Sequence, residues 1–297
     1  TISVRPEHTI MKPGKNRCQL ALLVCSAICL TVGIQADQPA PDTFLRNGVT
    51  AHRGNSGEHP ENTLAAFESG IEIGADWIEL DVYRSKDGQI VVIHDDTTER
   101  VGDQNLVVVD ATYEELLRVD VAAEFRRLQS KTLEEVPKHT IPLLADVLRL
   151  VMTQRQTRVS IQPKMDCVAD AIDVVKKMGA EKWVGFNDGN LQFMAEVKRL
   201  APDIPVFWDR GESDPGEDIR IAKQHGFESL VLHYSVVTKE TIDQIHAAGL
   251  QVGAWTVNDE ATMARFLDWG IDRIYTDHPR RLLRQRARVS SEQGERR

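Results

Sequence analysis

A regular alternation constrains this chain more than any other feature. From about residue 47 onwards, short β-rich runs take turns with amphipathic stretches of helical period. The runs are 48–52, 77–82, 158–161, 183–186, 205–208, 229–233, 251–257 and 273–276. The helical stretches between most of them are 63–73, 143–152, 168–178, 191–200, 218–225, 239–248 and 260–269. In 63–73, Leu64, Phe67 and Ile71 fall on one helix face. Gly74, Gly179, Gly226, Gly249 and Gly270 punctuate turns from helix to strand, where glycine tolerates the left-handed closing residue. Strand and helix in strict turn imply a parallel sheet. Eight strands fit a closed (β/α)₈ TIM barrel. The competing arrangement is an open doubly wound sheet, but no glycine-rich dinucleotide fingerprint follows the first run.

One segment breaks the alternation. Run 77–82 is followed by Arg84-Ser85-Lys86-Asp87-Gly88 and then by a second apolar run, 89–93. A parallel crossover needs about a dozen residues or more, and Asp-Gly is a hairpin-turn pair. The 89–93 run is therefore expected to return antiparallel, as a hairpin extension that brings His94 beside Asp81. Residues from about 96 to 142 then form an irregular, charged insertion of the kind that caps the mouth of a barrel.

The 297 residues suit one barrel with terminal extensions, and the net charge of -9 argues against a nucleic-acid surface. Lys12, Lys15 and Arg17 precede an uncharged apolar stretch ending at Ile34, with Gln35 and Ala36 following. That order predicts a secretory signal over 1–36, the residues before Met11 standing apart from it, and a secreted or periplasmic product without stable membrane insertion. An uncleaved anchor is the alternative. Cys18, Cys25 and Cys29 lie in that segment, so the mature chain keeps only Cys167 and stability rests on the core. The barrel is expected to end near Arg284, and 285–297 to form a basic tail.

Barrel active sites gather at the C-terminal ends of the strands. Here those ends carry His52 and Arg53, Glu79 and Asp81, Gln162 and Lys164, Asn187, Trp208, His233, Trp255 and Asp277. Glu79 and Asp81 are two apart on one strand and share a face. Two adjacent carboxylates repel unless a cation lies between them, and oxygen donors suit Mg²⁺ or Ca²⁺. Arg53 offers a planar fork and Lys164 a point charge for a phosphate. Two histidines beside such a pair supply an acid and a base, a set suited to metal-assisted phosphodiester hydrolysis.

In combination these motifs resemble the glycerophosphodiester phosphodiesterase family. The matching residues are His52-Arg53-Gly54, Pro60-Glu61-Asn62-Thr63, Glu79-x-Asp81, Lys86-Asp87-Gly88, His94-Asp95, Trp255-Thr256-Val257-Asn258 and Thr276-Asp277-His278-Pro279. The resemblance covers residues 47–284. It implies a (β/α)₈ barrel, one divalent metal ion held first by Glu79 and Asp81, and acid–base catalysis by His52 and His94. It also favours Trp255 as a pocket wall against the carbons of a small glycerophosphodiester. The expected products are glycerol 3-phosphate and an alcohol. Intact or lysophospholipids are alternative substrates, and a catalytically impaired binding protein is the alternative from another class.

The chain departs from the family at one point. The family commonly places Glu-x-Lys at the end of the next barrel strand, and this chain reads Gln162-Pro163-Lys164. Gln162 then offers the metal a carbonyl without a charge, unless another carboxylate such as Glu61 compensates. Pro163, lacking an N–H, is expected to make this strand end irregular. Phe186 and Trp208 are further candidates for the pocket wall, and His233 for its lining.

Overall fold

The structure is a computed structural model and describes residues 48–295, with side chains through residue 289. The signal segment expected over 1–36 lies outside the described residues. The strands are β1 (Val49–Ala51), β2 (Trp77–Arg84), β3 (Ile90–Val92), β4 (Arg158–Pro163), β5 (Val184–Asp188), β6 (Val206–Arg210), β7 (Ser229–His233), β8 (Gln251–Trp255) and β9 (Arg273–Thr276). The helices are α1 (Leu64–Glu72), α2 (Tyr113–Leu116), α3 (Ala123–Gln129), α4 (Leu144–Val151), α5 (Val168–Met178), α6 (Leu191–Leu200), α7 (Pro215–His225), α8 (Lys239–Ala247), α9 (Glu260–Asp268) and α10 (Pro279–Glu295).

Strands β1, β2 and β4 to β9 pair in parallel, and β1 bonds to both β2 and β9, which closes the barrel. The open alternative is thereby excluded. Alternate residues divide the core into two layers. Ile78, Leu80, Val159, Ile161, Phe186 and Trp208 pack outward against the helices. Trp77, Phe207, Val231 and Tyr275 form a separate interior cluster, with the Arg273 guanidinium 3.5 Å from the centre of the Phe207 ring. This parity corrects one expectation. Phe186 and Trp208 serve the helix layer, while their neighbours Asn187 and Asp209 take the interior side.

The hairpin forms as expected. Strand β3 runs antiparallel to β2, pairing Val92 with Val82, on the edge of β2 beyond the short β1. Its path continues past the strand, where the Ile93 N–H donates to the Asp81 carbonyl at 3.0 Å. That bond sets His94 level with Asp81. The following insertion builds its own small core from Tyr83, Val91, Ile93, Val108, Leu116, Val119 and Ile141.

Two local expectations differ. Strand β4 runs regularly through Pro163, which pairs with Val82, and the next N–H, of Lys164, donates to the Val82 carbonyl at 3.0 Å. The ladder to β5 ends at Ile161, so the missing Pro163 donor interrupts nothing on that side. Helix α7 begins three residues early, because Asp214 caps it by accepting from the Gly216 N–H and Pro215 occupies the first turn. At the C-terminus, α10 carries the arginine-rich segment on as helix to Glu295, anchored by buried Leu282 and by Arg286 on Asp76. Among the described residues, no helix is long and apolar enough to cross a membrane.

Candidate active site

The end of β1 is shaped by backbone conformation. Arg53 has a φ of 55° and Gly54 a φ of 80°. A Cβ on Gly54 would lie 2.7 Å from the Ala66 backbone, so α1 approaches too closely for any other residue. This turn directs the Arg53 N–H to Glu79 Oε2 at 2.9 Å. The next motif divides its work residue by residue. Glu61 accepts from Arg53 at 3.0 Å, Asn62 donates to Asp81 Oδ2 at 2.8 Å, and Thr63 caps α1 through the Ala66 N–H.

Glu79 and Asp81 are 1% and 0% exposed. Burial, then the charge of Asp81, pushes Glu79 up to about 7. Burial also opposes ionisation of Asp81, but Arg53 and Lys164 outweigh it and hold that carboxyl below its usual range. Asp81 Oδ1 accepts no hydrogen bond; Lys164 Nζ lies 3.6 Å from it and Arg53 Nε 3.5 Å from Oδ2.

Each histidine has a carboxylate behind it. His52 Nδ1 lies 2.7 Å from Asp277 Oδ1, and Asp277 also accepts from Ser56 and Asn258. Burial works to lower His52, yet the Asp277 hydrogen bond and the Glu79 charge prevail and raise it. Asp277, despite its own burial, is pulled down to about 2 by that bond and the charge of His52. His94 Nδ1 lies 2.5 Å from Asp95 Oδ1, while Lys164 donates to His94 Nε2 at 3.2 Å. Burial lowers His94, and the Arg53 and Lys164 charges add to that. Arg100 grips Glu61 with two nitrogens, at 2.6 and 2.8 Å, and Asp95 with a third at 2.5 Å.

These groups surround one cavity of about 530 Å³, lined by His52, Arg53, Glu79, His94, Gln162, Lys164 and Trp255, together with Asn187, Asp209, Arg210 and Tyr275. Asp81 lies fully buried behind this lining. His233 is not part of the lining; it packs edge-on against Trp255, ring centres 5.1 Å apart. Glu61 does not compensate for Gln162, because the guanidiniums of Arg53 and Arg100 neutralise it. The Gln162 amide is engaged at both ends. Its oxygen accepts from Lys164 at 3.1 Å and its nitrogen donates to Asp209 Oδ2 at 3.2 Å.

Asp209, with Arg210 and Tyr275, is among the cavity residues that sequence reasoning missed. Burial pushes it up to about 8. A signal was present, since Asp209 shares the inward parity of Phe207, but the expected strand stopped at Trp208. The partnerships of Asp277 with His52 and of Arg100 with Glu61 had no local signal.

The donors fit a hard dication. Glu79, Asp81 and the Gln162 carbonyl are all oxygen groups, and two buried carboxylates with an unbonded Asp81 oxygen call for positive charge. Among the described residues, no three acidic, histidine or cysteine side chains converge on one ion position; Gln162, paired with Asp81 across the β2–β4 ladder, brings an amide oxygen beside the two carboxylates.

A closed barrel whose cavity sets cations and imidazoles beside a buried acidic pair defines an enzyme class that handles anionic esters at its strand ends. Comparison with known proteins narrows this. The model of the glycerophosphoryl diester phosphodiesterase family matches residues 52–281, and the chain belongs to that family. It is 32% identical over 247 residues to a glycerophosphodiester phosphodiesterase of Caldanaerobacter subterraneus, covering 80% of this chain and 97% of the relative. It is 26% identical over 298 residues to a lysophospholipase D of Homo sapiens, covering 88% and 92%. A solved phosphodiesterase of Oleispira antarctica, in complex with the product sn-glycerol-3-phosphate, superposes with a TM-score of 0.72 at 26% identity, covering 82% of this chain and 98% of that one.

Proposed function

We propose that this chain hydrolyses glycerophosphodiesters to glycerol 3-phosphate and an alcohol, using His52 and His94 as proton carriers and one divalent cation, Mg²⁺ or Ca²⁺. The observation that carries the reading is the placement of both histidines, each backed by a carboxylate, in the cavity that holds Arg53, Lys164 and Glu79. Family membership and the product-bound neighbour support the substrate class.

The electrostatics favour one division of roles. His94 is biased towards the neutral form, and its Nδ1–H donates to Asp95, so Nε2, which accepts from Lys164, is the nitrogen that takes a proton from the attacking hydroxyl once Lys164 turns to the phosphate. His52 is biased towards the imidazolium by Asp277 and donates a proton to the leaving alkoxide. Arg53 and Lys164 pair with the phosphoryl oxygens, and Trp255 walls the carbon skeleton. When bound by Glu79, Asp81 and the Gln162 carbonyl, the dication supplies further charge stabilisation at the phosphate.

The test is release of glycerol 3-phosphate from glycerophosphocholine by the wild type, His52→Ala and His94→Ala. Each substitution is expected to lower turnover by roughly 10² or more in a folded protein. Wild-type turnover in both variants would end the assignment. A second reading, action on lysophospholipids, draws on the insertion, where Val107, Val109, Leu117, Leu128 and Leu133 stand exposed. A higher kcat/KM on lysophosphatidylcholine than on glycerophosphocholine would favour it. We also infer export to a periplasmic or extracellular site from the signal pattern over 1–36, to be tested by sequencing the N-terminus of the protein recovered from its native cells.

A further inference from the structure

Asn258 follows β8 at the mouth of the barrel, and the backbone there is pinned before its side chain acts. The Val257 N–H donates to the Tyr275 carbonyl at 2.9 Å, which sets Asn258 level with Thr276 and Asp277 at the end of β9. The Asn258 amide then meets three partners. Its oxygen accepts from the Asp277 N–H at 3.0 Å and from the Thr276 hydroxyl at 3.1 Å. Its nitrogen donates to Asp277 Oδ2 at 2.7 Å. The order of atoms is forced, because a flipped amide would set its oxygen against the carboxylate and its nitrogen against two donors. Among the described residues, Asn258 is the one side chain that donates to Oδ2, and the other carboxylate oxygen, Oδ1, is the one that lies 2.7 Å from His52 Nδ1.

We propose that Asn258 is a positioning residue for His52, acting through Asp277 by locking the carboxylate in the rotation that aims Oδ1 at the imidazole. This rests on the reading of His52 as the acid in glycerophosphodiester cleavage. Asn258 does not line the cavity, so its effect on the reaction passes through two hydrogen bonds rather than through substrate. The Asp277 side chain is 33% exposed, so water can take the place of a lost donor and the fold survives. Water does not fix the rotation of the carboxylate, and a carboxylate free to turn no longer holds the ring in one orientation and one tautomer. With Nδ1–H on Asp277, the proton for the substrate sits on Nε2. As the bond from phosphorus to the leaving oxygen breaks, that oxygen keeps the electron pair and takes the Nε2 proton. A misaligned ring slows this transfer. A leaving group that departs as a stable anion does not need it.

The test compares kcat/KM for two esters in the full chain, with unfolding curves to confirm the fold of each variant. Glycerophosphocholine releases an alkoxide that must be protonated, whereas glycerophospho-p-nitrophenol releases a phenolate that leaves without a proton. Asn258→Ala is expected to lower kcat/KM roughly tenfold or more on the choline ester and less than about threefold on the nitrophenyl ester. In a His52→Ala background the same substitution is expected to change the choline rate by less than about twofold, because effects that pass through one residue do not add. A merely structural role would lower both esters alike and would add to the loss of His52. Either of those outcomes overturns the proposal, as do wild-type rates on both esters. If Asn258→Ala does not fold, Asn258→Asp keeps the acceptor for the Asp277 N–H and the Thr276 hydroxyl and removes the donor to Asp277. The same selective loss is then expected, and equal losses or none overturn the proposal. A wild type that cleaves neither ester overturns the functional reading and this inference together. A selective loss in His52→Ala without one in the Asn258 variant overturns the inference alone.

Discussion

Asp277 Oδ1 lies 2.7 Å from His52 Nδ1, and the pair joins the last barrel strand to the first across 225 positions of sequence. Barrel closure therefore builds half of the candidate acid–base machinery. The β1–β9 ladder that makes this contact also seals the hydrophobic interior, so site and fold depend on the same pairing.

The first prediction concerns pH. In the proposed mechanism the active form carries His52 protonated and His94 neutral. His94 lies below the usual 6.5 and His52 above it, so the rate falls on the acid side through His94 and on the alkaline side through His52. The plateau thus brackets pH 6.5. Asp277→Asn removes the group that raises His52, so the alkaline limb of kcat/KM is expected to move to lower pH while the acid limb stays. The same bond links to stability with two signs. His52, raised, contributes stability below about pH 6.5 that is lost as pH rises through its folded value. Asp277, held near 2, contributes above about pH 4 and loses that contribution as pH falls towards 2. An unmoved alkaline limb in the variant would refute the His52 assignment.

A second prediction concerns the cation. Chelation is expected to abolish turnover, and Mg²⁺ or Ca²⁺ to restore it. The bound ion should also raise the unfolding temperature, since it relieves the repulsion of two buried carboxylates. Glu79→Gln is expected to lose that thermal shift. Persistent activity in protein shown by elemental analysis to be metal-free would be the contrary result.

The third prediction isolates Arg100. This half-exposed side chain holds Asp95 behind His94 and Glu61 behind Arg53. Exposed ion pairs contribute only about 0–1 kcal/mol to stability, so Arg100→Ala should melt within a few degrees of wild type. Activity is expected to fall roughly tenfold, because two site residues lose their orientation at once. Arg100→Lys should recover only part, lacking the planar fork that grips both Glu61 oxygens. A large melting shift with normal kcat/KM would make Arg100 a stability residue instead.

A fourth prediction tests the turn after β1. Gly54→Ala meets a φ of 80° and the Ala66 backbone at 2.7 Å. The conformational cost is about 1–2 kcal/mol and overpacking adds about 1–3. Urea unfolding should show a loss of roughly 2–5 kcal/mol. A loss under 0.5 kcal/mol would mean that α1 shifts freely to make room.

Periodicity and turn chemistry alone determined the architecture. The eight parallel strands, the hairpin at Asp87-Gly88 and the placement of Glu79 and Asp81 on one face follow from patterns within a few residues, because backbone preference and side-chain alternation are local. His94 beside Asp81 was legible for the same reason: a short turn leaves the chain one way back. What lies between distant strands was decided by tertiary structure. The Asp277 bond to His52, the Arg100 clamp and the Gln162–Asp209 contact depend on strand stagger and closure, which no local window encodes. Trp208 shows the boundary most sharply. It ends the expected strand, yet β6 runs two residues further, and alternation turns Trp208 to the helices and gives the cavity to Asp209.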